Sequence, residues 1–268
     1  MDHKKITESN REAWNEATLK HQQGRKIDYK KEFLKPDYSR LDEILTAKLN
    51  EIGVAGKTIA QTNCNNGREL LSVLNMGALS GVGFDISDEA IKEARDLAKI
   101  SGRACEFVRT NIYDIDKKYH NSFDIVLITI GALCWMPNLN KYFNVISNLL
   151  KPEGHLVIYE QHPFMYVFEC DEEKGYEPKD PMKVIHSYFR TEPWIENSGI
   201  DYVGKTIYES KTTYCFTQKI SDIINPIVKN GIRLTEFIEF PEDISEMFPE
   251  VAKFEKVPLS YILTGIKE

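Results

Sequence analysis

The chain has 268 residues, 42% hydrophobic and 28% charged, a balance that excludes disordered and fibrous proteins and suits one large domain, or one domain carrying an insertion. Its 34 Lys and Arg stand against 41 Asp and Glu, a net charge of -7, and its longest basic runs are pairs such as Lys4-Lys5 and Lys117-Lys118. Nucleic-acid binding usually needs a basic footprint that displaces counterions, so no nucleic-acid partner is expected.

The chain opens Met1-Asp2-His3-Lys4-Lys5 into polar residues, so no secretory signal is expected. Apolar spacing predicts a helix over residues 9–20 and another over 38–52, with Leu41, Ile44, Leu45 and Leu49 on one face. Gly53 and Gly56 end that pattern, and strands then alternate with helices. A strand at 57–62 passes through a polar loop into a helix from Gly67 that Gly77 stops. A strand at 79–86 leads to Ser87 as N-cap, with Asp88 and Glu89 in the first turn of a helix that Gly102 ends. Strands at 104–108 and 123–130 follow. The run Ile125-Val126-Leu127-Ile128 is too uniformly apolar for a strand wetted on one side, so both its faces are expected to be buried. The stretch from Phe123 to Met136 is too short to span a bilayer and contains Asp124, so no membrane association is expected.

A helix at 139–150, a turn at Pro152-Glu153-Gly154 and a fifth strand at 155–160 complete the alternation, which predicts an α/β, Rossmann-like doubly wound sheet. Residues 162–216 then hold eleven aromatics, about twice the density of the whole chain. Tyr202, Tyr208, Tyr214 and Phe216 fall at even positions, the signature of one strand face, and an extended run at 183–190 precedes the Asn197-Ser198-Gly199 turn. Together they predict an antiparallel β-hairpin inserted after the fifth strand. A helix at 220–230 and strands at 233–240 and 260–266 close the sheet. The organisation expected is N-terminal helices forming a lid (1–56), a core (57–161), an aromatic cap (162–217) and a completing segment (218–268). Five scattered cysteines, at 64, 105, 134, 170 and 215, form no C-x-x-C pair and point to a reducing, cytoplasmic setting with no structural metal.

Ligands of a doubly wound sheet bind at the carboxyl ends of its central strands. Three features fall there. Asn63-Cys64-Asn65-Asn66-Gly67 follows the first strand; Asn and Gly tolerate a left-handed backbone, so the loop can turn tightly toward a ligand, although an ordinary polar turn has the same composition. It is not G-x-G-x-x-G, which argues against NAD or FAD. Asp85 ends the second strand, 18 residues beyond Gly67, near the spacing of an acid that accepts both ribose hydroxyls; its alternative role is helix capping, for which Ser87 is better placed. Asn111 and Ile112 follow the third strand, where an amide and the next N–H suit an adenine ring.

The three features describe an adenosine-binding edge, and their order resembles class I S-adenosylmethionine (SAM)-dependent methyltransferases over about residues 57–156. The family's first motif, usually V-L-D-x-G-C-G-x-G, stands here as Ile59-Ala60-Gln61-Thr62-Asn63-Cys64-Asn65-Asn66-Gly67. A subgroup of small-molecule methyltransferases reading L-x-L-Q-C-x-x-G is more similar. It also resembles this chain at Trp14-Asn15-Glu16-Ala17-Thr18 with His21, at Gly131-Ala132-Leu133-Cys134-Trp135-Met136-Pro137, at Leu150-Lys151-Pro152-Glu153-Gly154 and at Glu160-Gln161-His162-Pro163-Phe164. The resemblance implies seven strands with the last antiparallel, SAM as cofactor and S-adenosyl-L-homocysteine (SAH) as product. It implies cofactor contacts from Trp14, His21, Asn63, Asn65, Gly67, Asp85, Ile86, Asn111, Ile112, Ile130 and Gly131, with Trp14 and His21 on a lid.

Methyl transfer needs alignment and dryness more than acid–base help, and it needs no metal. His162, just past the fifth strand, is the candidate general base if one is used; orienting the His-Pro turn is its other reading. Trp135, Tyr188, Trp194, Tyr202 and Phe216 are candidates for the wall of a small-molecule substrate site, or else the hairpin's own core. A SAM- or SAH-binding sensor or partner subunit without turnover is the rival reading, and a monomer or homodimer fits either.

Overall fold

Strand β4 (Phe123–Ile128) divides its side chains between two cores. Val126 and Ile128 enter the cluster under helices α6 (Leu139–Leu149) and α7 (Ile220–Lys229), while Ile125 and Leu127 enter the opposite one. Alternation by two sends successive residues to opposite faces, so the continuous apolar run is explained by helices on both sides. The structure is a computed structural model, and it describes residues 2–170 and 179–268. Eight residues of the expected aromatic cap, 171–178, with Tyr176 among them, lie outside the described residues.

The sheet takes the order β3-β2-β1-β4-β5-β9-β8. Its members are β1 (Thr58–Thr62), β2 (Ser80–Asp85), β3 (Cys105–Arg109), β4, β5 (Leu150–Gln161), β8 (Ile232–Phe240) and β9 (Ser260–Lys267). β9 runs antiparallel to both neighbours, and the remaining pairs are parallel. This is the expected seven-stranded Rossmann-like sheet. The order reverses between β1 and β4, so the loops leaving these strands part and open a crevice at their carboxyl ends. Helix α4 (Arg68–Asn75) closes one face with Leu70, Leu71 and Leu74, all buried. Each such leucine contributes about 2 kcal/mol of transfer free energy. Helix α5 (Asp88–Ser101) begins at Ser87, whose Oγ accepts the Ala90 N–H, and ends at left-handed Gly102. Among the described residues no helix is long and apolar enough to cross a membrane.

Several boundaries differ from expectation. Helix α1 (His3–Gly24) is longer than 9–20 because Asp2 caps it, accepting the Lys4 N–H. The second expected helix, 38–52, is shorter: α3 (Glu43–Ile52) starts only after Asp42, whose carboxylate accepts the Leu45 N–H, and a single unexpected turn, α2 (Tyr29–Glu32), precedes it. The turn at 152–154 lies inside β5 as a register shift.

The largest correction is the hairpin. It consists of β6 (Trp194–Glu196) and β7 (Thr213–Cys215) alone, and Tyr202 and Tyr208 lie in the loop between them. The Asp201 carboxylate accepts the N–H groups of Gly204 and Thr206, and Lys205 is left-handed, so this turn wins over strand extension. Residues 183–190 turn rather than extend, with Arg190 N–H donating to the Ser187 carbonyl. The last helix, α8 (Pro249–Ala252), packs Val251 into a small third core with Phe168 and Phe248.

Candidate active site

The loop after β1 is a network rather than an open turn. Asn63, Asn65 and Gly67 all have positive φ, at 54°, 47° and 74°. The Asn65 N–H donates to Asp85 Oδ2 at 2.8 Å, and the Gly67 N–H to the Cys64 carbonyl at 2.8 Å. Asn63 Oδ1 accepts from the Tyr142 hydroxyl at 3.2 Å, and that hydroxyl also meets Thr62 Oγ1 at 2.7 Å. Asp85 Oδ1 accepts the Ser87 N–H at 2.8 Å, so each carboxylate oxygen holds one backbone donor and keeps a lone pair. Burial pushes this carboxyl above its ordinary value, against the pull of those N–H groups. Ile86, half-buried, continues from it. Gln61, standing where the related motif has an acid, is fully buried. Its Nε2 donates to Thr129 Oγ1 at 2.8 Å, and its Oε1 has no partner among the described residues.

Helix α1 lies across this edge. Asn15 bridges to the start of α5, its Nδ2 donating to Asp88 and its Oδ1 accepting from Ser87 Oγ. Arg11 pairs with Asp88 as well. Asn10 grips β7 as a peptide would, donating to the Tyr214 carbonyl and accepting its N–H. Trp14 meets the Trp135 ring edge-on at 5.4 Å and the His21 ring at 6.2 Å. His21 Nε2 lies 2.6 Å from the Ile200 carbonyl, and its ring sits 4.3 Å from that of Tyr202. Trp14, His21, Trp135 and Tyr202 therefore form one aromatic cover. Asn111 Oδ1 accepts the Tyr113 N–H and its Nδ2 donates to Thr7 of α1, while Ile112 beside it is buried.

At the end of β4, Ile130 is exposed and Gly131 turns with φ 79°. Here Glu160, at the end of β5 and buried, receives four backbone N–H groups. Oε1 takes Ala132 at 2.5 Å and Leu133 at 2.9 Å; Oε2 takes Gly131 at 2.8 Å and Gln161 at 3.0 Å. Burial nevertheless pushes its carboxyl up to about 7. A small cavity lies against it, lined by Cys134, Tyr166, Phe216 and Tyr261 among others. Sequence reasoning gives no role to Tyr142 or Tyr261, and it names Gln61 and Glu160 only as members of motifs. A further signal for Glu160 is an acid closing the apolar run 156–159, a position where a carboxylate needs partners.

Phe216 thus joins the cavity and Trp135 the cover, whereas two other substrate candidates are engaged elsewhere. The Tyr188 hydroxyl accepts the Ile220 N–H at the start of α7, and Trp194 Nε1 donates to Thr217 with its ring under Arg190. His162 does not line the cavity. Its Nδ1 accepts the Phe164 N–H at 3.1 Å, and its Nε2 comes within 3.0 Å of Glu239 without the alignment of a hydrogen bond. Burial pushes the imidazole down to about 4. A histidine kept neutral when folded gives stability that is present above its unfolded pKa of 6.5 and lost as pH falls through 4. His162→Asn keeps an acceptor for Phe164 without titrating. Relative to wild type, it should therefore gain about 2 kcal/mol between roughly pH 8 and pH 5 in urea unfolding. Parallel pH dependences would contradict a neutral buried ring.

Residues 56–183 match the family model described as "Methyltransferase domain". A ribosomal protein L11 methyltransferase of Histophilus somni is 31% identical over 109 residues, 40% of this chain and 34% of that protein. A tRNA U34 carboxymethyltransferase of Helicobacter pylori is 28% identical over 111 residues, 41% of this chain and 42% of its own length. The matched part of the chain therefore spans about a third to two-fifths of these curated relatives. A solved Listeria monocytogenes protein described as an S-adenosylmethionine-dependent methyltransferase shares the fold. It has a TM-score of 0.61 and 20% identity, over 83% of this chain and 96% of its own.

Proposed function

Starting from a chain whose residues 56–183 match a methyltransferase domain, we propose an active class I methyltransferase that uses SAM to methylate a small molecule and leaves SAH. The observation that carries this reading is the Asp85–Asn65 unit, a carboxylate fixed by two backbone donors with a lone pair left on each oxygen. Two hydroxyls on adjacent ribose carbons match such a pair. The orphaned Gln61 Oε1 supplies a buried acceptor beside the same loop, fitting the amino group of the methionine tail. Asn111 and Ile112 would face the adenine.

Bound SAM supplies a methyl already activated by a sulfonium, so the protein's part is alignment and exclusion of water. Trp14, Trp135, His21 and Tyr202 exclude water from above, and Gly131 and Ile130 position the loop at the end of β4. We assign His162 to capping the turn after β5 and propose a reaction that needs no base from it. The two curated relatives are named for a ribosomal protein and a tRNA. For this chain a net charge of -7 speaks against an RNA backbone, and the cover of α1 and the β6–β7 loop favours a compact acceptor.

Asp85→Ala is expected to weaken SAM binding at least tenfold, about 1.4 kcal/mol, through loss of charge-assisted hydrogen bonds. Isothermal titration reads this directly, and unchanged affinity would remove the central support. Measuring SAH formation over a panel of acceptors separates enzyme from sensor, because a sensor binds without turnover.

A further inference from the structure

The cavity beside Glu160 measures about 20 Å³, room for one water or one head group of ammonium size. Its polar atoms are unequal. The four N–H groups around Glu160 are all spent on its carboxyl group, so none of them is left to donate to a substrate. The Tyr166 hydroxyl donates to Gln161 Oε1 at 2.7 Å, and Gln218 Nε2 donates to the Met136 carbonyl at 2.9 Å. Gln161 Nε2 is turned to Met247 Sδ at 3.9 Å. What these side chains still offer is acceptor capacity on Gln161 Oε1 and Gln218 Oε1, and the Tyr261 hydroxyl, which can accept or donate.

Tyr261 stands out among them. It pairs with Glu160 across β5 and β9, so both side chains rise from the same face of the sheet into this cavity. It is fully buried, and its hydroxyl has no hydrogen-bond partner among the described residues. A buried hydroxyl left unmatched costs about 1–3 kcal/mol, so a ligand that pairs with it recovers that cost on binding. The charge pattern has the same sense: the lining carries one carboxylate, and no Lys, Arg or His among the described residues. The rings of Tyr166, Phe216 and Tyr261 complete the wall, and aromatic faces attract cations. A carboxylate or phosphate head would face the carboxyl oxygens of Glu160 with no cationic side chain among the described lining residues to pair with.

We infer that this cavity seats an amine or ammonium group of the methyl acceptor, held by hydrogen bonds to the Tyr261 hydroxyl and Gln218 Oε1. The inference rests on the methyltransferase reading only for calling the ligand an acceptor; the seat itself is tested without SAM. Protein labelled with ¹³C at tyrosine rings is titrated with methylammonium chloride, sodium formate or methanol at matched ionic strength, with the Tyr261 signal assigned through Tyr261→Phe. Methylammonium should give a saturable shift of Tyr261 that formate and methanol do not. Tyr261→Phe and, separately, Gln218→Leu should each weaken methylammonium binding about fivefold, read from the other cavity tyrosine, Tyr166. Gln218→Leu lies away from the sheet and keeps the test open should the first variant fold poorly. Saturable formate binding, absence of a methylammonium response, or affinity unchanged in both variants would overturn the seat. SAM titration of the same wild-type sample separates the two conclusions: SAM bound with no methylammonium response defeats the seat alone, and no SAM bound defeats the proposed function.

Discussion

Replacing Glu160 by alanine is expected to cost about 3 kcal/mol of folding free energy, because it strands together the buried N–H groups of Ala132 and Leu133 and the part-buried ones of Gly131 and Gln161. The loss falls short of four separate penalties, since water can enter the vacated space and the cost of burying the carboxylate disappears with it. The same residue imposes a pH dependence whose sign follows from its raised pKa. The native state holds the Glu160 proton up to about 7, whereas a glutamate in the unfolded chain gives it up near 4.5. The stability it contributes is then complete below the unfolded value and is lost as pH rises through 7. The stability difference between wild type and Glu160→Gln should shrink by about 2.5 kcal/mol from roughly pH 5 to pH 8. His162 has the opposite sign over an overlapping range, so the wild-type curve conceals both, and only the variants separate them. Urea unfolding of the three proteins across this range is the measurement. A wild-type–Gln difference independent of pH would show that Glu160 is ionised throughout.

What sequence makes visible here depends on whether the determining contact is local. The alternation of β1 to β5 with helices is legible because burial on two faces imposes its own periodicity, and because Ser87 and Gly102 are start and stop signals at the two ends of the helix they bound. The edge proposed to hold the cofactor is legible for the same reason: Asn63, Asn65, Gly67 and Asp85 carry their backbone preference or charge in their identity. Glu160 is different. Three of its four partners are backbone N–H groups 27 to 29 positions earlier, which every sequence has, so nothing marks them until β4 and β5 are adjacent. Tyr261 is one of many tyrosines until β9 pairs it with Glu160. The hairpin fails in the other direction. Even-numbered aromatics imitate a strand face, while Asp201 closes a turn across them through bonds to residues 204 and 206. Tyr202 is thereby free of any strand and reaches His21 on α1.

Gly67→Ala is the second change expected to act strongly, with a loss of about 3 kcal/mol and of cofactor affinity together. Gly67 has φ +74°, where a side chain costs about 1 kcal/mol. Space is the heavier obstacle: a Cβ there would lie 2.3 Å from the Phe107 ring, far inside contact distance. Phe107 is buried in the core with Leu70, Leu71 and Ile91, so the ring cannot swing away without disturbing its neighbours, and overpacking of this kind costs about 1–3 kcal/mol. Relief by backbone movement is no cheaper for function. Gly67 N–H is bonded to the Cys64 carbonyl, and the next bond along the loop joins Asn65 to Asp85, so a shift at Gly67 moves the carboxylate proposed to hold the ribose. A double-mutant cycle isolates the clash. Phe107→Leu alone should be destabilising, yet in the Gly67→Ala background it should return about 1 kcal/mol or more, because the shortened side chain vacates the space the methyl needs. Strict additivity of the two would mean that backbone conformation alone, and not the ring, excludes every residue but glycine from this bend.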